Sequence, residues 1–367
     1  MAQQGGHVPG FGGGFGNGDD EWDDWDPARA HRGYTSRVPA LPALRDLDTH
    51  REPLIDLSAP LGQPRQPREG LSPAALAISA RAETGDYLAV EYDPREPGFA
   101  EFYDAIIVPQ WSVPFGRLLL SAFLTLPRGA GWQVLDVACG TGYPTLELAR
   151  FLGADCDVAG IDVWEEAVQI ARRKAADEWL RNVTFLATDI LHHALPEGTF
   201  DTITCNLGLP SFVDRPAALG AMWRLLRPQG QLLLTLPLQP ALREFLDTYY
   251  LTLRDLRLDD SLRAFSRLVA ERPTIEQARK LLESGGFAVQ RELTESFTLR
   301  FPTPLAFLRS PLVQTTYMAS FRALVPDETV RRIVFNEVER RLQQRAEANG
   351  NELRMSVPML CLCATRM

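Results

Sequence analysis

Between Val134 and Leu236 five short apolar runs recur, VLDVA, DVAGID, VTFLATD, DTITCN and QLLLTL, with segments of helical periodicity between them. Apolar runs of this length, bounded by turn residues, read as buried strands, and TLELARFLG, WEEAVQIARRKAADEWL and PAALGAMWRLLRPQG read as the helices that join them. In the second of these, Trp164, Val168, Ala171, Ala175 and Trp179 fall on one stripe. Strand–helix alternation predicts an α/β fold with a doubly wound, mostly parallel sheet covered on both faces.

The rest of the chain is arranged around that unit. The first 80 of its 367 residues are Gly-, Pro- and acid-rich with little periodic apolar pattern, which predicts a disordered tail. Trp22 and Trp25 sit there among Asp19, Asp20, Glu21, Asp23, Asp24 and Asp26, a mixture that can dock a basic, apolar groove on a protein partner. AEFYDAIIVPQW and SVPFGRLLLSAFLTL read as two helices separated by Pro114. After the fifth run come a long helical insertion, an amphipathic helix TIEQARKLLESGG, and FAVQRELTESFTLRF, which alternates like a strand pair or one long strand. A helix N-capped by Asp327 then places Val330, Val334, Val338 and Leu342 on one face, and MLCLCATR closes the chain as a strand.

A net charge of -9 and a pI near 5.2 repel phosphate backbones and anionic lipid, so nucleic acid is disfavoured and a small-molecule substrate fits better. The five cysteines show no metal-ligand spacing and read as reduced thiols; no metal is expected. The N-terminus lacks the pattern of a signal peptide and no apolar run approaches a membrane span, which predicts a cytoplasmic protein with no membrane insertion. Lys174 and Lys280 are the only lysines, and this reads as coding bias.

The first run ends in a turn, VLDVACGTGYPTLELA. A strand leading through glycines into a helix N-terminus suits an anion or a nucleoside, because backbone N–H groups point at the ligand and no side chain blocks approach. The spacing Gly140, Gly142, Thr145 departs from the dinucleotide fingerprint at its third glycine. Asp136 at the strand end would repel a pyrophosphate, whereas a cationic ligand would welcome it.

VLDVACGTG resembles the first motif of the class I S-adenosylmethionine-dependent methyltransferases. Asp136, Gly140 and Gly142 match it, while Ala138 stands where the family's first glycine is commonest. The resemblance implies that Asp136 lies near the ammonium of the cofactor's methionine, often through water. It places Asp162, with Val163 beside it, at the ribose. Asp189 would accept from the adenine amine, with Ile190 against the ring, and Asn206 and Leu207 would lie near the cofactor after the fourth strand. FAEFYDAIIVPQWSVPFGRLLL is similar to the cofactor-covering helices of the small-molecule branch that includes ubiquinone and menaquinone C-methyltransferases, and Tyr103 and Trp111 are its candidate caps. The implied organisation is a tail over 1–80 and a methyltransferase domain over 81–367. Within it, a cofactor half spans about 99–236, with insertion and lid segments at about 240–275 and 303–350.

The predicted reaction moves a methyl group from S-adenosylmethionine to an O, N or C atom of a small, apolar or aromatic molecule. Nucleic-acid methylation is disfavoured again by the absence of an Asn/Asp-Pro-Pro-aromatic motif after the fourth strand. His192 and His193, in the loop after Asp189, are candidate general bases because imidazole titrates near neutral pH. An alternative is a catalytically silent relative that recruits a partner through its acidic Trp-containing tail.

Overall fold

Each apolar run is a strand. β1 spans Gln133–Val137, β2 Asp157–Asp162, β3 Val183–Ala187, β4 Phe200–Asn206 and β5 Leu226–Pro237, and two long strands follow, β6 Phe287–Phe301 and β7 Leu353–Arg366. They form one sheet in the order β3-β2-β1-β4-β5-β7-β6, parallel except for β7, which runs antiparallel to both neighbours. FAVQRELTESFTLRF is therefore one strand, not two. Between β1 and β4 the winding reverses, and the crevice at the carboxyl ends of two such strands is where doubly wound sheets hold ligands. Asp136 faces Gly160 of β2 and Thr204 of β4 across that switch point.

This computed structural model describes residues 70–127 and 129–367, so Trp22, Trp25 and the tail up to residue 69 lie outside the described residues. Residues 73–80, read from composition as tail, belong to helix α1, Pro73–Thr84. Ser72 caps it by accepting from Ala75 N–H, and Ala75 and Ile78 are buried. The short Pro- and Arg-rich surroundings hid this apolar face.

The two helices expected on either side of Pro114 are one, α2, Phe99–Phe123. Its middle, Tyr103–Ser112, is wound as a π-helix that contains Pro109, and Pro114 stands in the first turn of the α-helical stretch Val113–Phe123. Widening the ladder accommodates a proline that has no N–H to donate, so the chain continues where an ordinary helix would break. Contrary to the reading of the sequence, this helix is long and apolar enough to cross a membrane, but 61% of its apolar window is buried inside the fold. Its surface is core.

The intervening helices are α3 Thr145–Leu152, α4 Glu165–Asp177, α5 Arg215–Leu225, α6 Arg243–Asp255, α7 Asp259–Ala270, α8 Ile275–Ser284, α9 Pro304–Arg309 and α10 Glu328–Ala348. Asp327 caps α10 through Val330 N–H, and Val334, Val338 and Leu342 are buried as the stripe requires. On α4, Val168, Ala171 and Ala175 are buried, but Trp179 is 81% exposed. It lies beyond the helix end at Asp177 with a φ of 57°, so the stripe stops one turn earlier than its spacing suggests. Helix α2, the insertion helices α6 and α7, the lid over 304–323 and α10 share one core on one sheet face. Helices α5 and α8 cover the other. All five cysteines are buried free thiols.

Candidate functional site

The turn after β1 has an open side. An added Cβ at Gly140, where φ is 51°, would meet nothing within 4 Å, so the backbone there borders free space. Its N–H donates to Asp162 Oδ2 at 2.8 Å, and Trp164 N–H donates to Oδ1 at 2.9 Å. Two amides thus lock the β2 carboxylate beside the glycine turn. Burial pushes its pKa up and these backbone donors pull it back.

Ala138 occupies the left-handed region, with φ 62°, where a glycine would be unstrained. Its methyl group lies against Gly208: a Cβ there would come within 2.5 Å of Ala138 Cβ and 2.8 Å of Cys205 Sγ. Ala138→Gly is expected to raise stability by about 1 kcal/mol and Gly208→Ala to lower it. A double-mutant cycle in urea should find the Gly208→Ala penalty smaller by about 1 kcal/mol in the Ala138→Gly background, and additive values would refute the contact.

Asp136 does not reach the open side of the turn. It is 0% exposed, with Oδ2 accepting from Thr145 Oγ1 at 2.5 Å and Oδ1 from Thr204 Oγ1 at 2.7 Å. Two hydroxyls compensate a buried carboxylate poorly, and desolvation raises its pKa to about 6.

Helix α2 bridges the strand ends. Near its start, the Tyr103 ring packs edge-on against Trp164 at 5.5 Å, and the Tyr103 hydroxyl, pushed up to about 12 by burial, feels the Asp162 charge. Further along, the Ser112 carbonyl accepts from Asn206 Nδ2 at 3.1 Å and the Val113 carbonyl accepts from Tyr143 OH at 3.2 Å. Asn206 Oδ1 accepts from Thr235 Oγ1, which in turn accepts from Leu207 N–H, so the residues after β4 are tied to both β5 and α2. Tyr103 and Asp162 are both half-buried beside the open glycine turn.

Trp111 is not brought to that wall. It is 2% exposed and contacts Phe115, Phe297 and Tyr317 at centroid distances of 5.2, 6.1 and 5.8 Å. Asp189 caps its own turn, with Oδ1 accepting from Leu191 N–H at 2.9 Å and Oδ2 3.0 Å from His192 Nδ1. Ile190 beside it is buried, whereas Val163 is 65% exposed next to Asp162. His193 Nδ1 accepts from Leu195 N–H at 3.1 Å, which leaves the neutral ring's proton on Nε2.

Reading the sequence missed Lys174. Its ammonium donates to Asp104 of α2 at 2.5 Å and to the Thr141 carbonyl of the glycine turn at 3.1 Å, tying the covering helix to the turn. The signal was present: a lysine among 38 basic residues, nearly all arginine, fits where a compact donor is needed and a planar fork is too wide. Trp164 was read only as part of a stripe, but its Nε1 and the Thr141 hydroxyl are buried polar atoms with no partner among the described residues.

An open glycine turn, a locked carboxylate at the next strand end and an exposed apolar neighbour form the arrangement in which doubly wound folds receive a nucleoside. A protein-family profile described as "Methyltransferase domain" matches residues 129–286. The chain is 33% identical to a nocamycin O-methyltransferase of Saccharothrix syringae, over 57% of this chain and 76% of that protein. It is 31% identical to a ubiquinone/menaquinone biosynthesis C-methyltransferase of Teredinibacter turnerae, over 43% of this chain and 68% of that protein. A demethylmenaquinone methyltransferase of a Geobacillus strain is 32% identical over 34% of this chain and 53% of its own length. The chain belongs to the class I S-adenosylmethionine-dependent methyltransferases of the small-molecule branch, and its cofactor is S-adenosylmethionine.

Proposed function

We propose that the methyl acceptor is a small apolar or aromatic molecule, received at the Tyr317 end of the aromatic wall that Trp111, Phe115 and Phe297 back from within the core. The carrying observation is that one helix, α2, reaches Asp162 through Tyr103 and this aromatic wall through Trp111, eight residues and roughly 10 Å further on. An apolar wall with few polar groups suits such a ligand. The names of the relatives, an O-methyltransferase and C-methyltransferases, support a small molecule and leave the acceptor atom open.

In this reading Asp162 accepts from the ribose hydroxyls and Val163 and Ile190 flank the purine, with Asp189 at its amine. Gly140 and Gly142 carry the backbone under the cofactor past Ala138. Asn206 and Leu207 border the methionine side, Tyr103 covers the ribose, and Asp136 acts from beneath the turn through its field. When bound, S-adenosylmethionine supplies a methyl group on a cationic sulfur, already activated for transfer. The residues therefore chiefly orient the acceptor and exclude water.

Proton removal by the histidines is disfavoured. They follow β3, the outermost strand, two to three strand spacings or roughly 10 to 14 Å from the β1–β4 crevice. His193 would also have to break its bond from Leu195 N–H to accept a proton at Nδ1. Host extract incubated with the enzyme and methyl-labelled cofactor should yield a labelled small molecule extractable into organic solvent. Label found in protein or nucleic acid would end the proposal. In the same assay His192→Ala and His193→Ala should each keep turnover within about threefold of wild type, whereas loss of a general base costs on the order of 10²- to 10⁴-fold.

A further inference from the structure

We infer that Arg272 anchors a carboxylate carried by the methyl acceptor, an inference that rests on the acceptor lying beside the aromatic wall. Arg272 stands in the turn between α7 and α8, where its N–H donates to the Val269 carbonyl and the capping box of Thr274 and Gln277 starts the next helix. Its Nη1 donates to the Ala241 carbonyl at 2.6 Å, and its guanidinium lies over the Tyr317 ring at 4.7 Å. Tyr317 in turn packs edge-on against Trp111. The cation is thus fixed from two sides at the end of the aromatic wall.

Its own charge has no close ion-pair partner among the described residues. No carboxylate described lies within ion-pair distance of Arg272, although Arg150, Arg172 and Arg341 each have one. Glu271 is adjacent in sequence and its charge acts on Arg272, but it forms no close ion pair with it, and the Arg215 charge acts on Glu271 more strongly. Arg272 is half-buried, and burial pulls its pKa down. Guanidinium stays protonated even so.

A desolvated charge without a counter-ion is costly unless something else binds it. A structural tether to the Ala241 carbonyl needs one neutral donor, not a guanidinium. Here one donor is used and the plane is held by the tyrosine, while Nε and Nη2 make no hydrogen bond to the described residues. That remaining edge is a planar fork matched to two carboxylate oxygens. Stacking holds the plane before any ligand arrives, which lowers the ordering cost of binding. The acceptor class that follows is an apolar or aromatic skeleton bearing a carboxylate, with the skeleton at the Tyr317 end of the aromatic wall.

The test uses full-length protein with S-adenosylhomocysteine and two isosteric probes, 1-naphthoate and its neutral counterpart 1-naphthamide, titrated by calorimetry. Naphthoate should bind at least tenfold more tightly than naphthamide. Arg272→Gln should remove that preference while leaving naphthamide and S-adenosylhomocysteine affinities unchanged, and Arg272→Lys should restore only part of it. A merely structural arginine would weaken both probes alike when replaced, and that result overturns the inference. So would equal binding of the two probes by the wild type, failure of either to bind, or a preference that survives Arg272→Gln. The labelled-extract assay separates the two proposals: a neutral labelled acceptor removes the anchor and leaves small-molecule methylation standing, while label only in macromolecules ends both.

Discussion

Asp162→Ala should weaken S-adenosylmethionine binding by about 2 to 4 kcal/mol, because two charge-assisted hydrogen bonds to the ribose diol are lost together. The structure adds a second reason. Asp162 Oδ2 is the acceptor for Gly140 N–H, so its removal also leaves the glycine turn with an unanswered donor. Asp162→Asn should fall between the two, since an amide oxygen can still accept from one backbone donor but lacks the charge. Calorimetric titration decides it, and an alanine variant of wild-type affinity would move the ribose elsewhere. Asp189→Ala should do less, because both Asp189 oxygens are already engaged in its own turn and the purine keeps its apolar contacts.

Asp136→Asn should change the pH dependence of stability by about 3 kcal/mol. The folded carboxyl is raised from 3.8 to about 6, so between those values the folded protein keeps a proton that the unfolded chain has released. Stability therefore falls as pH rises through that window, and a shift of two units corresponds to about 3 kcal/mol lost by neutral pH. Asparagine has no charge to desolvate, and its amide can meet Thr145 and Thr204 with one donor and one acceptor after a hydroxyl rotates. Relative to wild type, the variant should gain in urea denaturation from pH 4 to about 6 and level off above that, and parallel curves would show that the carboxylate is compensated in some other way. If the cofactor's ammonium lies above Asp136, saturating S-adenosylmethionine should flatten the wild-type slope and leave the variant's unchanged.

The glycine turn and the carboxylate after the second strand were legible because their signals are local. Strand ends, a glycine turn and a carboxylate after the second strand can be located from neighbours a few residues apart, and Asp162 stands beside Gly140 as the spacing implied. The covering helix was found, but its continuity was not, since Pro109 and Pro114 speak for breaks and only the π-helical winding absorbs the first. Trp111 and Tyr103 share one helix and looked equivalent. Tertiary packing sent Tyr103 toward Asp162 and Trp111 into an aromatic cluster with partners nearly 190 and more than 200 residues away.

Strand–helix alternation, the parallel sheet and the place of the glycine turn were already set by local pattern, because apolar period and turn chemistry act over two to four residues. Tertiary structure decided which charges are answered. Asp136 became a buried carboxylate on two hydroxyls, Lys174 a bridge between the covering helix and the turn, and Arg272 a cation over Tyr317 with no described acid within ion-pair distance. Each outcome depends on groups brought together from elements far apart in the chain, and electrostatic cost is set by burial and by partners within a few ångströms, neither of which a local pattern records.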